Sequence, residues 1–211
     1  MANTSLNTRA RLIGLSCWLA CAQTLAQAPA PAPTPAPGSS PAVASNTIKI
    51  GLVGPFSGPS ADFGVPMLNG VKQAVDEINA VGGYLGRPIQ LVVKDDQANP
   101  DVGLKVSQEL LKENVVATIG FCNTGVAAKS LEVFQTNKLP LIITCATGTP
   151  LTAKYPGPES YIFRTSAKDA IQAPFVIDDI VKRGWTKVAI FADTTGYGAA
   201  GLLDVESALA A

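Results

Sequence analysis

Apolar residues from position 47 onward form two alternating patterns, short continuous runs and longer stretches with helical spacing. The continuous runs predict strands over 47–53, 89–93, 115–120, 139–144, 161–165 and 187–192. The first helical stretch, after Phe63, places its apolar residues on one face: Met67, Val71, Ala74, Val75 and Ile78. Further helices are predicted after the Asn99-Pro100 cap and over 126–137 and 168–183.

This alternation of strand and helix predicts an α/β fold built on a doubly wound parallel sheet. The strands are apolar throughout, which favours a sheet covered on both faces, and the crossovers are expected to be right-handed. One complete unit is predicted over 46–165. Residues 166–211 would begin a second unit that is too short to close a sheet, so we expect the chain to be truncated.

The first 28 residues are predicted to be a secretory signal peptide. Arg9 and Arg11 supply its positive charge, and the apolar run 12–22 is too short to span a bilayer. Cleavage after Ala22 and cleavage after Ala28 are both candidates, and the second is disfavoured because it would leave Pro29 at the new N-terminus. Lipidation of Cys21 is a further alternative. Residues 29–45 are rich in proline and alanine and predict an extended linker. The leader predicts an exported protein.

Composition narrows the chemistry of the remaining chain. The formal net charge is zero and no basic stripe appears, so nucleic acid is not an expected partner. The chain has no histidine, which removes histidine-based catalysis and histidine metal sites. We expect neither an enzyme nor a cofactor. Cys122 and Cys145 lie beyond the leader, and an exported protein permits a disulfide.

Two loops at the carboxyl ends of predicted strands are rich in hydroxyls, amides and small residues, namely 122–125 and 145–149. Each leads towards a helix start, where free N–H groups favour an anion such as a carboxylate. The alternative is that these residues only cap helices. The glycines of 51–58 fit neither a dinucleotide nor a phosphate-loop template. Asp95 and Asp96 are expected to be a strand-end cap and a solvated charge.

Several segments in combination resemble the periplasmic leucine/isoleucine/valine-binding proteins: 47–58, 76–83, 95–96, 146–152 and 163–165. These proteins are the receptors of branched-chain amino acid ABC importers and have the type I periplasmic binding fold. The resemblance implies that 46–165 is the first ligand-binding lobe and that 166–211 begins the second. It also implies a small carboxylate or amino acid as ligand, an inner-membrane permease as partner, and a monomer. A periplasmic sensor of amides or aromatic carboxylates is the alternative.

The resemblance also implies roles for individual residues. Asn123, Thr124 and Thr147 would hold the ligand carboxylate. Cys145 would accept from the ammonium through its carbonyl, with Ala146 in the same loop. Phe63 would lie against the ligand side chain, and Tyr197 would close over it from the second lobe.

Three departures from the family pattern stand out. Phe63 offers no phenol hydroxyl, and Asn123 is an amide where some relatives have serine. The acidic partner of the ammonium would lie beyond Ala211. Ala98 occupies the place where some relatives have a cysteine, so Cys122 cannot form their disulfide and could pair with Cys145 instead.

Overall fold

The computed structural model describes residues 46–211, so the predicted signal peptide 1–28 and linker 29–45 lie outside the described residues. The strands are β1 Ile48–Gly54, β2 Ile89–Asp95, β3 Ala117–Gly120, β4 Leu141–Ile143 and β5 Ile162–Arg164. The helices are α1 Ala61–Ala80, α2 Pro100–Lys112, α3 Thr124–Thr136, α4 Pro150–Ala153, α5 Asp169–Lys182 and α6 Gly196–Ala210.

The five strands form one sheet in the order β2-β1-β3-β4-β5, and every pairing is parallel. The strand order reverses at β1, with β2 on one side and β3 on the other, which is the doubly wound arrangement. The α/β prediction is confirmed. Loops that follow β1 and β3 therefore meet at the carboxyl edge, where such sheets bind ligands.

The two faces of the sheet are covered to different degrees. Helices α2 and α3 pack on one face, over a core that includes Leu110, Phe134 and Ile143, all fully buried. Helix α1 lies on the other face, where a Cβ on Gly54 would meet Met67. On that second face Phe163 is 51% exposed. The prediction of two covered faces thus holds for one face only within residues 46–211, because there α1 alone covers the other.

Element bounds differ from the predictions at several places. Helix α1 begins at Ala61, ahead of Phe63, and the short helix α4 was not predicted. The segment 187–192 was predicted to be a strand, and this prediction is wrong. A strand needs a neighbouring strand to satisfy its N–H and C=O groups, and within 46–211 none pairs with this segment. Its side chains are exposed, Phe191 to 97%.

Helices α5 and α6 pack mainly on each other, and α6 also contacts α3. None of the helices within residues 46–211 combines the length and the apolar character that a bilayer crossing requires.

Candidate functional site

The candidate site begins where the first residues of α1 and α3 meet at the carboxyl edge. The N-cap of α1 is Ser60 and the N-cap of α3 is Asn123. Their side chains hydrogen-bond to each other, with Asn123 Nδ2 donating to Ser60 Oγ at 3.0 Å. Neither side chain caps its own helix. Two helix N-termini, each with a partial positive charge, thus converge without their usual side-chain acceptors.

The N-terminus of α3 has more amides without a hydrogen-bond partner than that of α1, and the backbone of Gly196 lies against its Gly125. Its first helical hydrogen bond runs from the Ala127 amide to the Asn123 carbonyl at 3.0 Å, so the amides of 124–126 have no partner inside the helix. The first turn contains no acidic residue. Among the described residues, Asn123 Oδ1 is buried without a hydrogen-bond partner. The free amides offer N–H donors to an anionic group, whereas the unpaired Asn123 Oδ1 can only accept from a donor.

Arg164 fixes the loop after β4 through hydrogen bonds to two carbonyls of that loop. Its Nη1 donates to the Thr147 carbonyl at 2.8 Å, and its Nη2 donates to the Gly148 carbonyl at 2.6 Å. The Asp169 amide also donates to the Thr147 carbonyl, at 3.0 Å. Burial lowers the pKa of the Arg164 guanidinium, and the nearby charge of Asp169 opposes this shift. Two hydrogen bonds from one guanidinium therefore hold the conformation of this loop.

The loops after β3 and β4 are also joined directly. The Gly148 amide donates to Thr124 Oγ1 at 3.3 Å, and the Ala146 amide donates to the Phe121 carbonyl at 3.0 Å. A Cβ on Gly148 would collide with the Thr124 side chain, so this approach requires glycine. Thr124 and Ala146 are buried, and these groups act as internal contacts between the loops.

Asp95 fixes the loop after β1. Its carboxylate accepts from the amides of Phe56, Ser57 and Gln97 and from the Ser57 hydroxyl. Burial opposes ionisation of Asp95, but the hydrogen bonds, led by that of the Ser57 hydroxyl, outweigh it and lower its pKa. This agrees with the predicted strand-end cap.

Asp96 is the reverse case, and the prediction of a solvated charge is wrong. Its side chain is fully buried, and Oδ2 has no partner among the described residues. Desolvation raises the pKa of Asp96 to about 6, although the Ala98 amide donates to Oδ1 at 2.9 Å. The sequence could not show this, because the two neighbouring aspartates differ only in which side of the chain they face.

Cys122 and Cys145 sit in the same two loops, half-buried and both as free thiols. The Cys122 thiol also approaches the Met67 sulfur of α1, at 3.9 Å. Within residues 46–211, no cluster of three or more His, Cys, Asp or Glu side chains is arranged to hold a metal ion.

The predicted aromatic residues lie at the starts of two helices. Phe63 is in the first turn of α1 and is 64% exposed. Tyr197 is in the first turn of α6, next to Gly196, whose Cβ would come within 2.9 Å of Gly125 Cα. Tyr197 also borders a cavity of about 520 Å³ between α5 and α6.

The structure thus brings together the five loop residues predicted for the site, Asn123, Thr124, Cys145, Ala146 and Thr147. Sequence reasoning missed Ser60 and Arg164. Ser60 has an ordinary helix-start signal that gave no hint of its contact with Asn123. Arg164 belongs to a segment that we singled out only for its resemblance to the family.

The family described as periplasmic binding protein matches residues 47–211 of this sequence. The chain belongs to the periplasmic binding protein family. Among curated relatives, it is similar to Leu/Ile/Val-binding protein homolog 3 of Brucella melitensis, with 34% identity over 152 residues, covering 72% of this chain and 40% of the relative. It is also similar to the Leu/Ile/Val-binding protein of Escherichia coli K12, with 30% identity over a region that covers 72% of this chain and 41% of the relative. The chain therefore spans about two fifths of the length of these relatives.

Two solved structures extend the comparison. A branched-chain amino acid transporter substrate-binding protein of Streptococcus pneumoniae, in complex with isoleucine, matches at 30% identity and a TM-score of 0.60, covering 65% of this chain and 38% of its own. The second structure is a solute-binding protein of an ABC transporter of Rhodopseudomonas palustris in complex with 3,4-dihydroxybenzoic acid. It matches at 28% identity and a TM-score of 0.69, covering 78% of this chain and 44% of its own. The type I periplasmic binding fold expected from the sequence is confirmed by these neighbours.

Proposed function

We propose that this chain supplies the first lobe, 46–165, and the start of the second lobe, 166–211, of a periplasmic substrate-binding protein of an ABC importer. The ligand is a branched-chain or related amino acid. Two observations support the proposal: the uncapped N-terminus of α3, and similarity to proteins named for binding leucine, isoleucine and valine. In this proposal residues 1–28 direct export to the periplasm, and the protein delivers its ligand to a membrane permease as a monomer.

The uncapped N-terminus of α3 is the observation that carries the ligand assignment. The ligand's α-carboxylate would accept from the amides of 124–126 and from the Thr147 hydroxyl. Each charge-assisted hydrogen bond of this kind contributes about 1.5–3 kcal/mol. The Cys145 carbonyl would accept from the ammonium. Phe63 and Tyr197 would contact the ligand side chain from two different helices.

A second candidate ligand class is an aromatic carboxylate. It is favoured by the similarity to the solute-binding protein that was solved with 3,4-dihydroxybenzoic acid. The carboxylate would occupy the same N-terminus of α3, but no group would be needed at the Cys145 carbonyl. The two candidates therefore differ in whether the ligand must carry an ammonium.

Amide chemical shifts of the 15N-labelled chain test the proposal, because they detect weak binding residue by residue. We expect L-leucine to shift the amides of 124–126. Leucinamide keeps the ammonium and the side chain but lacks the carboxylate, and should bind at least about tenfold more weakly, since about 1.4 kcal/mol is a factor of ten.

Two further ligands separate the candidates. A response to 3,4-dihydroxybenzoate with none to leucine would favour the aromatic carboxylate. Equal binding of leucine and leucinamide, or shifts confined to residues away from α3, would refute the proposed carboxylate site. An Asn123→Asp variant places a fixed negative charge at the same helix start and should abolish the leucine response while leaving the spectrum of the remaining chain unchanged.

A further inference from the structure

The two cysteines outside the leader lie just beyond the ends of two neighbouring strands. Strands β3 and β4 are parallel and paired in register, with Gly120 opposite Ile143. Cys122 lies two residues beyond Gly120, and Cys145 lies two residues beyond Ile143. Beyond the strands the pairing shifts by one residue, because the Ala146 amide donates to the Phe121 carbonyl, so Cys122 lies one residue past the position opposite Cys145. Neighbouring strands are about 4.8 Å apart, which keeps the two cysteines on adjacent, closely spaced loops.

Backbone hydrogen bonds keep the two loops together past the ends of the strands. The Thr144 amide donates to the Gly120 carbonyl at 3.2 Å, and the Ala146 amide donates to the Phe121 carbonyl at 3.0 Å. Each cysteine therefore sits in a loop whose neighbouring residues are already tied to the other loop. The Cys122 thiol approaches the Met67 sulfur at 3.9 Å, and the neighbouring Cys145 thiol is the main influence on its pKa.

We propose that Cys122 and Cys145 form a redox site, which closes to an intramolecular disulfide by exchange with a small-molecule disulfide of the glutathione type. Closure links the loop after β3 covalently to the loop after β4, at the candidate ligand-binding edge. The link differs from the disulfide of some relatives, whose first cysteine position is Ala98 here.

The exchange proceeds in two steps. The Cys145 thiolate attacks one sulfur of oxidised glutathione, the glutathione S–S bond breaks, and one glutathione thiolate leaves. Cys122 then gives its proton to solvent and attacks Cys145 Sγ, which releases the second glutathione. The two protein thiols lose two electrons and the glutathione disulfide gains them.

The order of attack follows from the environments of the two thiols. The neighbouring Cys122 thiol lowers the pKa of the Cys145 thiol, although burial opposes the shift. The Cys145 thiol, together with burial, raises the pKa of the Cys122 thiol. The thiolate is the nucleophile, so Cys145 is the residue that reacts first near neutral pH.

Peptide mapping without reduction tests the pairing on the full chain. The reduced chain is equilibrated with defined ratios of oxidised to reduced glutathione, quenched with acid, alkylated and digested with trypsin. Cleavage at lysines places Cys122 on peptide 113–129 and Cys145 on peptide 139–154. The leader cysteines, Cys17 and Cys21, fall on a third peptide, 12–49, and do not interfere.

We expect the linked pair 113–129/139–154 to be the main oxidised product of the native chain. In denaturant, at the same glutathione ratio, its yield relative to glutathione adducts should fall at least ~10-fold, because the fold no longer raises the effective concentration of one thiol at the other. In Cys122→Ser, Cys145 should instead accumulate as a glutathione adduct. Glutathione adducts without the linked pair in the native chain, or equal linkage in native and denatured chains, would overturn the proposal.

Discussion

The N-termini of α2 and α3 begin with the same residue in nearly the same backbone conformation, yet they end up in opposite states. Asn99 has φ −108° and ψ 122°, and Asn123 has φ −98° and ψ 124°. The Asn99 side chain accepts from the amides of Asp101 and Val102, at 2.8 and 3.3 Å. The Asn123 side chain makes no such bond and donates to Ser60 instead.

The difference comes from the neighbours of each asparagine. Asn99 is exposed and its own helix offers the best partners, and Asp101 adds a favourable negative charge in the first turn. Asn123 lies at the edge where another strand–helix connection brings Ser60 within 3.0 Å. One helix start is therefore capped and contributes to stability, while the other has no side-chain cap at the candidate ligand-binding edge. The same cap residue does not imply the same role.

The largest expected effect concerns Asp96, whose carbonyl accepts from the Asn99 amide at the capped start. Its pKa is raised from 3.8 to about 6 in the folded state, and a factor of ten in proton affinity is worth about 1.4 kcal/mol. The folded state thus holds the proton more tightly than the unfolded state, so this contribution to stability is present at low pH and is lost as the pH rises through about 6.

We therefore compare the free energies of unfolding of Asp96→Asn and the original chain in urea at about pH 4 and about pH 7. The difference between the two chains should shift in favour of Asp96→Asn by roughly 2 kcal/mol over this range. Asp95 is present in both chains, so its opposite pH dependence cancels in the difference. A difference that stays constant with pH would show that Asp96 is not buried as described.

The next effect tests the contact that joins the two helix starts. Gly103 lies in the first turns of α2, and a Cβ there would collide with Val126 in the first turn of α3. We expect Gly103→Ala to lower the free energy of unfolding by about 1–3 kcal/mol through overpacking. Gly70→Ala is the matched control, since it is also a helical glycine but has open space around its Cα. It should stabilise the chain by about 0.4–1 kcal/mol. Equal effects would mean that α2 and α3 do not approach this closely.

A direct comparison of the two caps should give a smaller difference. We expect Asn99→Ala to cost about 1 kcal/mol in urea unfolding, because it removes a functioning N-cap. Asn123→Ala should cost less, since it removes one hydrogen bond but also a buried oxygen that has no partner among residues 46–211. If Asn123→Ala cost as much as Asn99→Ala, the start of α3 would be capped in solution and the proposed anion site would be closed.

The smallest effect is expected for the ion pair between Lys129 of α3 and Asp101 of α2. Both side chains are exposed to solvent, so the pair should contribute less than about 1 kcal/mol. Lys129→Met should lower the urea unfolding free energy by a few tenths of a kcal/mol at low salt, and the difference should vanish at high salt. A difference that persists at high salt would indicate that the methionine changes packing rather than charge.

Much of the fold followed from the sequence, because the apolar runs and helical spacing are local signals. The five strands between 48 and 164 were predicted with small shifts in their bounds. The exception, 187–192, has the composition of a strand, but strand formation depends on a partner that composition does not reveal. The partly uncovered face of the sheet was missed for the same reason, since apolar strands predict burial without saying which helix provides it.

For the candidate site, the sequence determined which loops meet, and the tertiary structure decided what each side chain does there. Loops after adjacent parallel strands share one edge, so 122–125 and 145–149 could be placed together from their positions alone. Whether Asn123 caps α3, which of two adjacent aspartates is buried, and what holds the Thr147 carbonyl depend on contacts between residues far apart in sequence. Those contacts, Ser60 with Asn123 and Arg164 with Thr147, arise only when the sheet brings their strands side by side.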